Sequence, residues 1–131
     1  SSSMSPTMTE GKHYLIRKHT NLKRGNIVLV TIPTKKGNVS FFSRIMGLPG
    51  DVVELKNEKI SVNGAELKES GYIGNKRTEG GVFLKNNMWI RIPADTYFVL
   101  NDNRSEGLDS RNVGFITKRA IVGKITGKLP F

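Results

Sequence analysis

The chain has 131 residues, 37% hydrophobic and 24% charged, which is ordinary for one globular domain with a buried core. It contains no cysteine, which excludes disulfides and thiolate metal sites, and no stretch reaches the ~20 apolar residues of a membrane span. The net charge of +10 indicates attraction to an anionic partner, either a nucleic acid or an anionic membrane surface.

The histidine, lysine and arginine residues narrow the possible ligands and partners further. The only histidines, His13 and His19, lack a third ligand at metal-binding spacing, so we expect no metal site and no cofactor. The Lys and Arg residues are scattered in short pairs without interleaved aromatic residues, which argues against a nucleic-acid platform. A basic β-barrel that binds nucleic acid remains an alternative, and an anionic membrane face is the favoured charged partner.

Short β-branched and aromatic runs alternate with Gly, Asn and Pro turns, and no window has an apolar period of helical length. The pattern predicts one all-β domain over residues 1–131. Its polar, glycine-rich stretch at residues 68–81 predicts a flexible loop or flap. The predicted strands lie at residues 13–17, 26–32, 39–46, 52–55, 59–62, 82–84, 88–90, 97–100, 113–116 and 120–125.

The predicted strand at residues 39–46 carries a polar side chain on an apolar face. Ser43 alternates with Phe41 and Ile45, so all three project to the same side of the strand. Because a polar group on an apolar face needs a hydrogen-bond partner or a chemical task, Ser43 is a candidate functional residue. The turn cluster at residues 47–51 ends this strand and leads into the next.

Residues 3–8, 43–51 and 101–111, in this order along the chain, form three motifs, and read together they resemble the motifs of the type I signal peptidases. Residues 3–8 (Ser-Met-Ser-Pro-Thr-Met) are similar to the family's Ser-Met-x-Pro-Thr-Leu. Residues 43–51 are similar to Lys-Arg-x-x-Gly-x-Pro-Gly-Asp, and residues 101–111 to Gly-Asp-Asn-Arg followed by Asp-Ser-Arg. The resemblance implies antiparallel β-sheets in a partly open barrel. It also implies a membrane-anchored serine endopeptidase that removes signal peptides from exported proteins.

The resemblance assigns catalytic roles to matched positions. Ser3 matches the nucleophile, and Ser1 stands where some members have a serine that helps to hold the oxyanion. Ser43 occupies the position of the lysine that acts as general base in a Ser-Lys dyad. A buried lysine can be neutral and accept a proton, whereas a serine hydroxyl is far too weakly basic. We therefore predict that this chain is inactive or nearly so.

Other matched positions have structural roles by the same resemblance. Arg44 is expected to pair with Asp102, and Arg111 with Asp109, so that the strand bearing residue 43 is held against the loop at residues 101–111. Two positions in this loop depart from the family pattern.

Asn101 replaces a glycine, and Gly107 replaces a serine that orients the lysine in many members. Both departures resemble natural variation.

Substrate binding in the family is the addition of an extended peptide to a strand edge, with small side chains, usually alanine, in two shallow pockets. By position, Phe41 and Phe42 would form the walls of these pockets, and Met4 and Pro6 would lie beside the cleft. For either phenylalanine, a plain core role remains open.

Two interpretations of Ser43 remain open. In the first, which the retained Ser3 favours, the protein is an active signal peptidase whose lysine has been replaced, in a soluble fragment without its single N-terminal membrane helix. Its domain would lie on the extracytoplasmic side of the cell membrane and act on signal-peptide-bearing preproteins. In the second, it is a naturally non-catalytic relative that binds pilus components as a chaperone-like factor in pilus assembly.

Overall fold

The fold is described here for residues 4, 7–8, 11–18, 21–67, 77–105 and 107–129 of a computed structural model. Within these residues the chain forms antiparallel β-sheets with very little helix, which confirms the predicted all-β class. The strands are β1 (Tyr14–Arg17), β2 (Ile27–Thr34), β3 (Gly37–Gly47), β4 (Val52–Lys56), β5 (Lys59–Val62), β6 (Ala65–Glu66), β7 (Met88–Arg91), β8 (Thr96–Leu100), β9 (Ile116–Thr117) and β10 (Ile121–Lys128). A short helix, α1 (Ser110–Val113), and a 3₁₀ turn (Lys118–Ala120) complete the described elements.

The strands form two sheets among the described residues. The larger has the order β1-β10-β2-β3-β8-β9, and the smaller has the order β6-β5-β4-β7. β3 lies inside the larger sheet, paired antiparallel with β2 on one side and with β8 on the other. Residue 43 therefore lies on a strand with partners on both sides, where backbone movement is restricted.

Two apolar clusters form the core, and β3 contributes to both. Ile45 and Met46 are consecutive and point to opposite faces of the strand, so each enters a different cluster. The first cluster contains Met46, Val53, Leu55, Ile60, Val62, Leu84, Ile92, Phe98 and Leu100. The second contains Val28, Val30, Ile45, Tyr97, Val99 and Ile116.

The turn at residues 47–51 connects the two sheets, and two of its residues explain its sequence. A Cβ on Gly47 would lie 2.2 Å from Ile92 Cδ1 and 3.0 Å from Val53 Cγ2, so a side chain there would force these core side chains to shift. Gly50 has φ +88°, a conformation that favours glycine.

Asp51 closes this turn with its carboxylate. The carboxylate accepts hydrogen bonds from the Leu48 N–H at 2.8 Å, the Asn63 amide at 3.0 Å and the Arg24 guanidinium at 2.7 Å. Burial raises the pKa of Asp51, but these three donors outweigh that effect and hold the pKa below its ordinary value. The ionised carboxylate therefore stabilises the junction between the sheets.

The prediction of a strand at residues 82–84 was wrong. The backbone there forms bends, because the N–H groups of Phe83 and Leu84 both donate to the Arg111 carbonyl, at 2.7 and 2.9 Å, and not to a neighbouring strand.

The prediction of a strand at residues 113–116 was correct only at its end. Asp109 caps α1 by accepting a hydrogen bond from the Arg111 N–H at 3.0 Å, and the helix ends at Gly114, where φ is +85°. Residue 113 is therefore helical, and only Ile116 of the predicted run lies in a strand.

The predicted flap at residues 68–81 falls partly outside the described residues, which omit 68–76. The described part, 77–81, makes specific contacts with the domain. Thr78 is buried, and its N–H donates to the Glu58 carbonyl at 2.9 Å. Gly81 donates to the Leu84 carbonyl at 2.8 Å.

Candidate active site

Ser43 is fully buried in the middle of the larger sheet. Its paired neighbour on β2 is Val28, and Ile45 lies two residues further along β3 on the same face. Both belong to the second core cluster. The Ser43 hydroxyl donates a 2.8 Å hydrogen bond to Asn101 Oδ1. The polar group on the apolar face therefore has a polar partner, and that partner is one of the residues that depart from the family motif.

Arg44, the next residue, points to the other face of β3 and forms an ion pair with Asp102. The guanidinium donates from Nε to Asp102 Oδ1 at 2.8 Å and from Nη2 to Oδ2 at 2.7 Å, a bidentate arrangement. Its Nη1 also donates to the Gly25 carbonyl at 2.8 Å. Asp102 is fully buried, so this pair joins β3 to the loop that follows β8.

The described residues of the N-terminal motif lie against the same aspartate. Met4 is buried, and its Sδ accepts a hydrogen bond from the Asp102 N–H at 3.4 Å. Thr7 donates its hydroxyl proton to Asp102 Oδ2. Ser1, Ser3 and Pro6, predicted as oxyanion, nucleophile and cleft residues, lie outside the described residues.

The loop after β8 contains a second buried ion pair, between Asp109 and Arg111. Arg111 Nη2 lies 2.8 Å from Asp109 Oδ2 and also donates to the Arg104 carbonyl at 2.9 Å. The same carboxylate accepts the Asn101 N–H at 3.1 Å. Ser110, inside this motif, accepts the Val99 N–H at 2.9 Å and so fastens the loop to β8.

Sequence reasoning missed two contributions to this region. Arg104 donates to the Asn101 carbonyl at 2.6 Å and to Thr78 Oγ1 at 2.6 Å, so the loop also holds residue 78. Thr7 was quoted only as part of the N-terminal motif, although it binds Asp102. The sequence signal for Arg104 was its position in the motif, directly after Asp102 and Asn103. Its burial was not expected, because arginine side chains are rarely buried.

The two phenylalanines predicted to line peptide pockets lie on opposite faces of β3. Phe41 shares the face of Ser43 and packs against the second core cluster. Phe42 shares the face of Arg44 and pairs across β2 with Leu29; both are half-buried. One wall of a single pocket therefore cannot include both rings. Phe42 lies on the same face of β3 as Arg44, whose partner Asp102 donates its backbone N–H to Met4.

The described residues contain no group of three or more His, Asp or Glu side chains able to hold a metal ion. In the same part of the chain, no helix is long and apolar enough to cross a membrane. What residue 43 offers to chemistry is a neutral hydroxyl in an apolar environment. It can donate or accept a hydrogen bond, but it cannot act as a general base near neutral pH.

Comparison with known proteins gives one consistent result. The sequence profile of the family described as signal peptidase, peptidase S26, matches residues 1–129. The chain is 38% identical over 129 residues to a signal peptidase I P of Bacillus subtilis subsp. natto, which covers 92% of this chain and 68% of that protein. It is 36% identical over 138 residues to a signal peptidase I of Bacillus amyloliquefaciens, which covers 99% of this chain and 69% of that protein.

The fold comparison agrees. A crystal structure of a signal peptidase I from Enterococcus faecalis V583 matches with a TM-score of 0.65 and 25% identity, over 82% of this chain and 98% of that chain. The domain is thus a peptidase by class. More particularly, the chain belongs to the signal peptidase family, peptidase S26, which is a membrane-associated family.

Proposed function

We propose that this chain holds the extended end of a signal peptide in a signal-peptidase-type cleft and does not cleave it. The family supports signal-peptide removal as the parent activity. The observation that carries the proposal is the fully buried Ser43 hydroxyl, donating to Asn101 Oδ1 at 2.8 Å at the position that resembles the family's catalytic lysine.

The chemistry of amide cleavage explains why residue 43 decides the activity. In a Ser-Lys dyad the nucleophile, here Ser3, forms a bond to the scissile carbonyl carbon while the neutral lysine takes the hydroxyl proton. The proton then passes to the leaving amine as the C–N bond breaks, and water later hydrolyses the acyl-enzyme. Ser43 cannot take that proton. Loss of general-base catalysis typically costs about 10²–10⁴ in rate, and more where the base and nucleophile act as a unit.

Peptide binding depends on parts of the domain that match the family more closely. The ion pair between Arg44 and Asp102 is bidentate, and Met4 and Thr7 both contact Asp102. These contacts support a fixed surface on the face of β3 that carries Phe42. We propose that small side chains of the peptide bind there and that the peptide backbone pairs with a strand edge.

Between the two origins of Ser43, the hydrogen bond to Asn101 favours a naturally non-catalytic member. In a member with the family's glycine at residue 101, a serine at position 43 would have no side chain there to meet it. Here both positions differ, and their side chains bond to each other. The partners would then be signal-peptide-bearing preproteins held without cleavage, or pilus components if the protein assists pilus assembly.

We also propose that the domain works beside an anionic membrane, on the extracytoplasmic side and with a single-pass anchor. The membrane association of the family and the net charge of +10 support this location. Sedimentation with neutral and anionic vesicles tests the surface contact. Equal binding to both vesicle types would contradict it.

The direct test is a binding measurement with a fluorescent signal-peptide segment carrying alanine at both small-residue positions. A matched peptide with leucine at those positions is the control. We expect saturable binding of the alanine peptide, affinity at least about tenfold weaker for the leucine peptide, and no cleavage product by mass spectrometry. Equal affinity for the two peptides, or no binding, would contradict the proposal.

A further inference from the structure

Residues 43 and 101 lie opposite each other, the first on β3 and the second directly after the neighbouring strand β8. Arg44 of β3 pairs with Leu100 of β8, so the next opposite positions in this antiparallel register are Ser43 and Asn101. Both residues are completely buried, and the Ser43 hydroxyl donates to Asn101 Oδ1 at 2.8 Å. Two departures from the family motif, 58 positions apart in sequence, therefore form one contact.

Asn101 is held in this orientation by several contacts. Its side-chain amide donates to the Leu108 carbonyl at 2.9 Å, its N–H donates to Asp109 Oδ2 at 3.1 Å, and its carbonyl accepts from Arg104 Nε at 2.6 Å. The contacts with Asp109 and Arg104 fix the Asn101 backbone, and the Asn101 side chain cannot turn away from residue 43 without breaking its bonds to Leu108 and Ser43.

The space around this pair is closed. Val28 lies opposite Ser43, Ile45 follows on the same face, and both are fully buried. Protein interiors are close-packed, so a side chain several atoms longer than serine needs room that must come from a neighbour. The neighbour that occupies the space beside the Ser43 hydroxyl is the Asn101 side chain.

We propose that Asn101 is a second determinant of the non-cleaving state: it fills the space of a base at position 43, so that Ser43→Lys alone does not restore cleavage. This inference rests on the proposed function. Asn101 acts here as a positioning residue, because its side chain decides whether a base at position 43 has room in the space beside the Ser43 hydroxyl. Glycine at position 101 would open that space and leave the backbone contacts to Asp109 and Arg104 available.

The test compares peptide cleavage by the unaltered chain, Ser43→Lys, Asn101→Gly and the double variant Ser43→Lys/Asn101→Gly. A matched control is Ser43→Lys/Asn87→Gly, which makes the same asparagine-to-glycine change at an exposed turn where φ is +63°. Addition of Ser3→Ala to the double variant checks that any cleavage uses the proposed nucleophile. Peptide Kd is measured for every variant.

We expect the double variant to cleave at least about tenfold faster than Ser43→Lys, with the gain in kcat and with peptide Kd changed less than threefold. The Asn87 control should match Ser43→Lys, and Ser3→Ala should abolish cleavage. Thermal unfolding supplies a second readout: Asn101→Gly should lower Tm less in the Ser43→Lys background than in the unaltered chain, because it relieves the crowding.

Two results would overturn the inference. One is a difference of less than tenfold between Ser43→Lys and the double variant, and the other is a double variant that folds and binds peptide yet does not cleave. Failure of the proposed function is separately visible, because it appears as absent peptide binding, or as cleavage by the unaltered chain.

Discussion

The charged loop at residues 101–111 adjoins the buried surroundings of Ser43, yet the two regions differ in how closely their sequences match the family motifs. The loop retains the motif's charged residues and uses them in buried pairs, Arg44 with Asp102 and Arg111 with Asp109. Around Ser43, the two residues that depart from the motif pattern, Ser43 and Asn101, are hydrogen-bonded to each other. Under the proposed function, this difference teaches that the scaffold that positions a cleft can persist in a chain that does not cleave.

The largest expected effect is on the scaffold side of this comparison. Asp109→Ala should destabilise the domain by about 3–5 kcal/mol, because it leaves the buried Arg111 without its carboxylate. It also removes the helix cap and an acceptor for the Asn101 N–H. Urea unfolding measures the change. Glu66→Ala, which removes an exposed ion pair with Lys59, is the control and should change stability little.

The two phenylalanines of β3 should separate stability from binding. Phe41→Ala should cost about 2 kcal/mol of unfolding free energy, less than the 3–5 of a fully buried ring, with little change in peptide affinity. Phe42→Ala should weaken alanine-peptide binding about tenfold with a smaller loss of stability. Thermal unfolding and fluorescence anisotropy on both variants measure the separation. The reverse pattern would place the peptide on the Phe41 face and contradict the assignment.

The Ser43 contact should be worth less than the ion pairs. Ser43→Ala removes the donor to a buried amide oxygen, so we expect a loss of about 1–3 kcal/mol by urea unfolding. Ser40→Ala on the same strand removes an exposed bond to Thr31 and should cost less than about 0.5 kcal/mol. Equal losses of unfolding free energy at the two positions would mean that burial of the Ser43–Asn101 pair adds nothing to the stability of the domain.

The smallest effect concerns the acid stability of the sheet junction. The pKa of Asp51 is lowered on folding, so its contribution is fully present above its unfolded pKa, near 3.8, and is lost as pH falls through the folded value. We expect the unaltered chain to exceed Asp51→Asn in stability by a constant amount above about pH 5 and by less below pH 4. A difference independent of pH from 2 to 6 would contradict this account.

The sequence predicts the fold class and most of the strands, because alternation and turn residues are local signals. It also indicates three of the loop residues that carry the scaffold, since Asp102, Asp109 and Arg111 stand in one motif. It does not predict that Phe83 and Leu84 bind the Arg111 carbonyl, nor that Asp109 caps a short helix, because both depend on tertiary contacts.

The Ser43–Asn101 contact is the clearest limit of sequence reasoning in this chain. Each departure is visible in its own motif, and each alone resembles natural variation or a single replacement. Their meaning depends on the pairing of β3 with β8, which brings positions 43 and 101 opposite each other. The register of the sheet is what brings these two departures from the motifs into a single hydrogen-bonded contact.

The measurement that tests the central claim most directly is prolonged incubation of the unaltered chain with an alanine-containing signal-peptide substrate at equimolar concentration, followed by mass spectrometry. The account predicts that the peptide is bound and recovered intact, because position 43 offers no base. Product cleaved after the small-residue site, formed by the unaltered chain and lost in Ser3→Ala, would contradict it. The domain would then use a base other than residue 43.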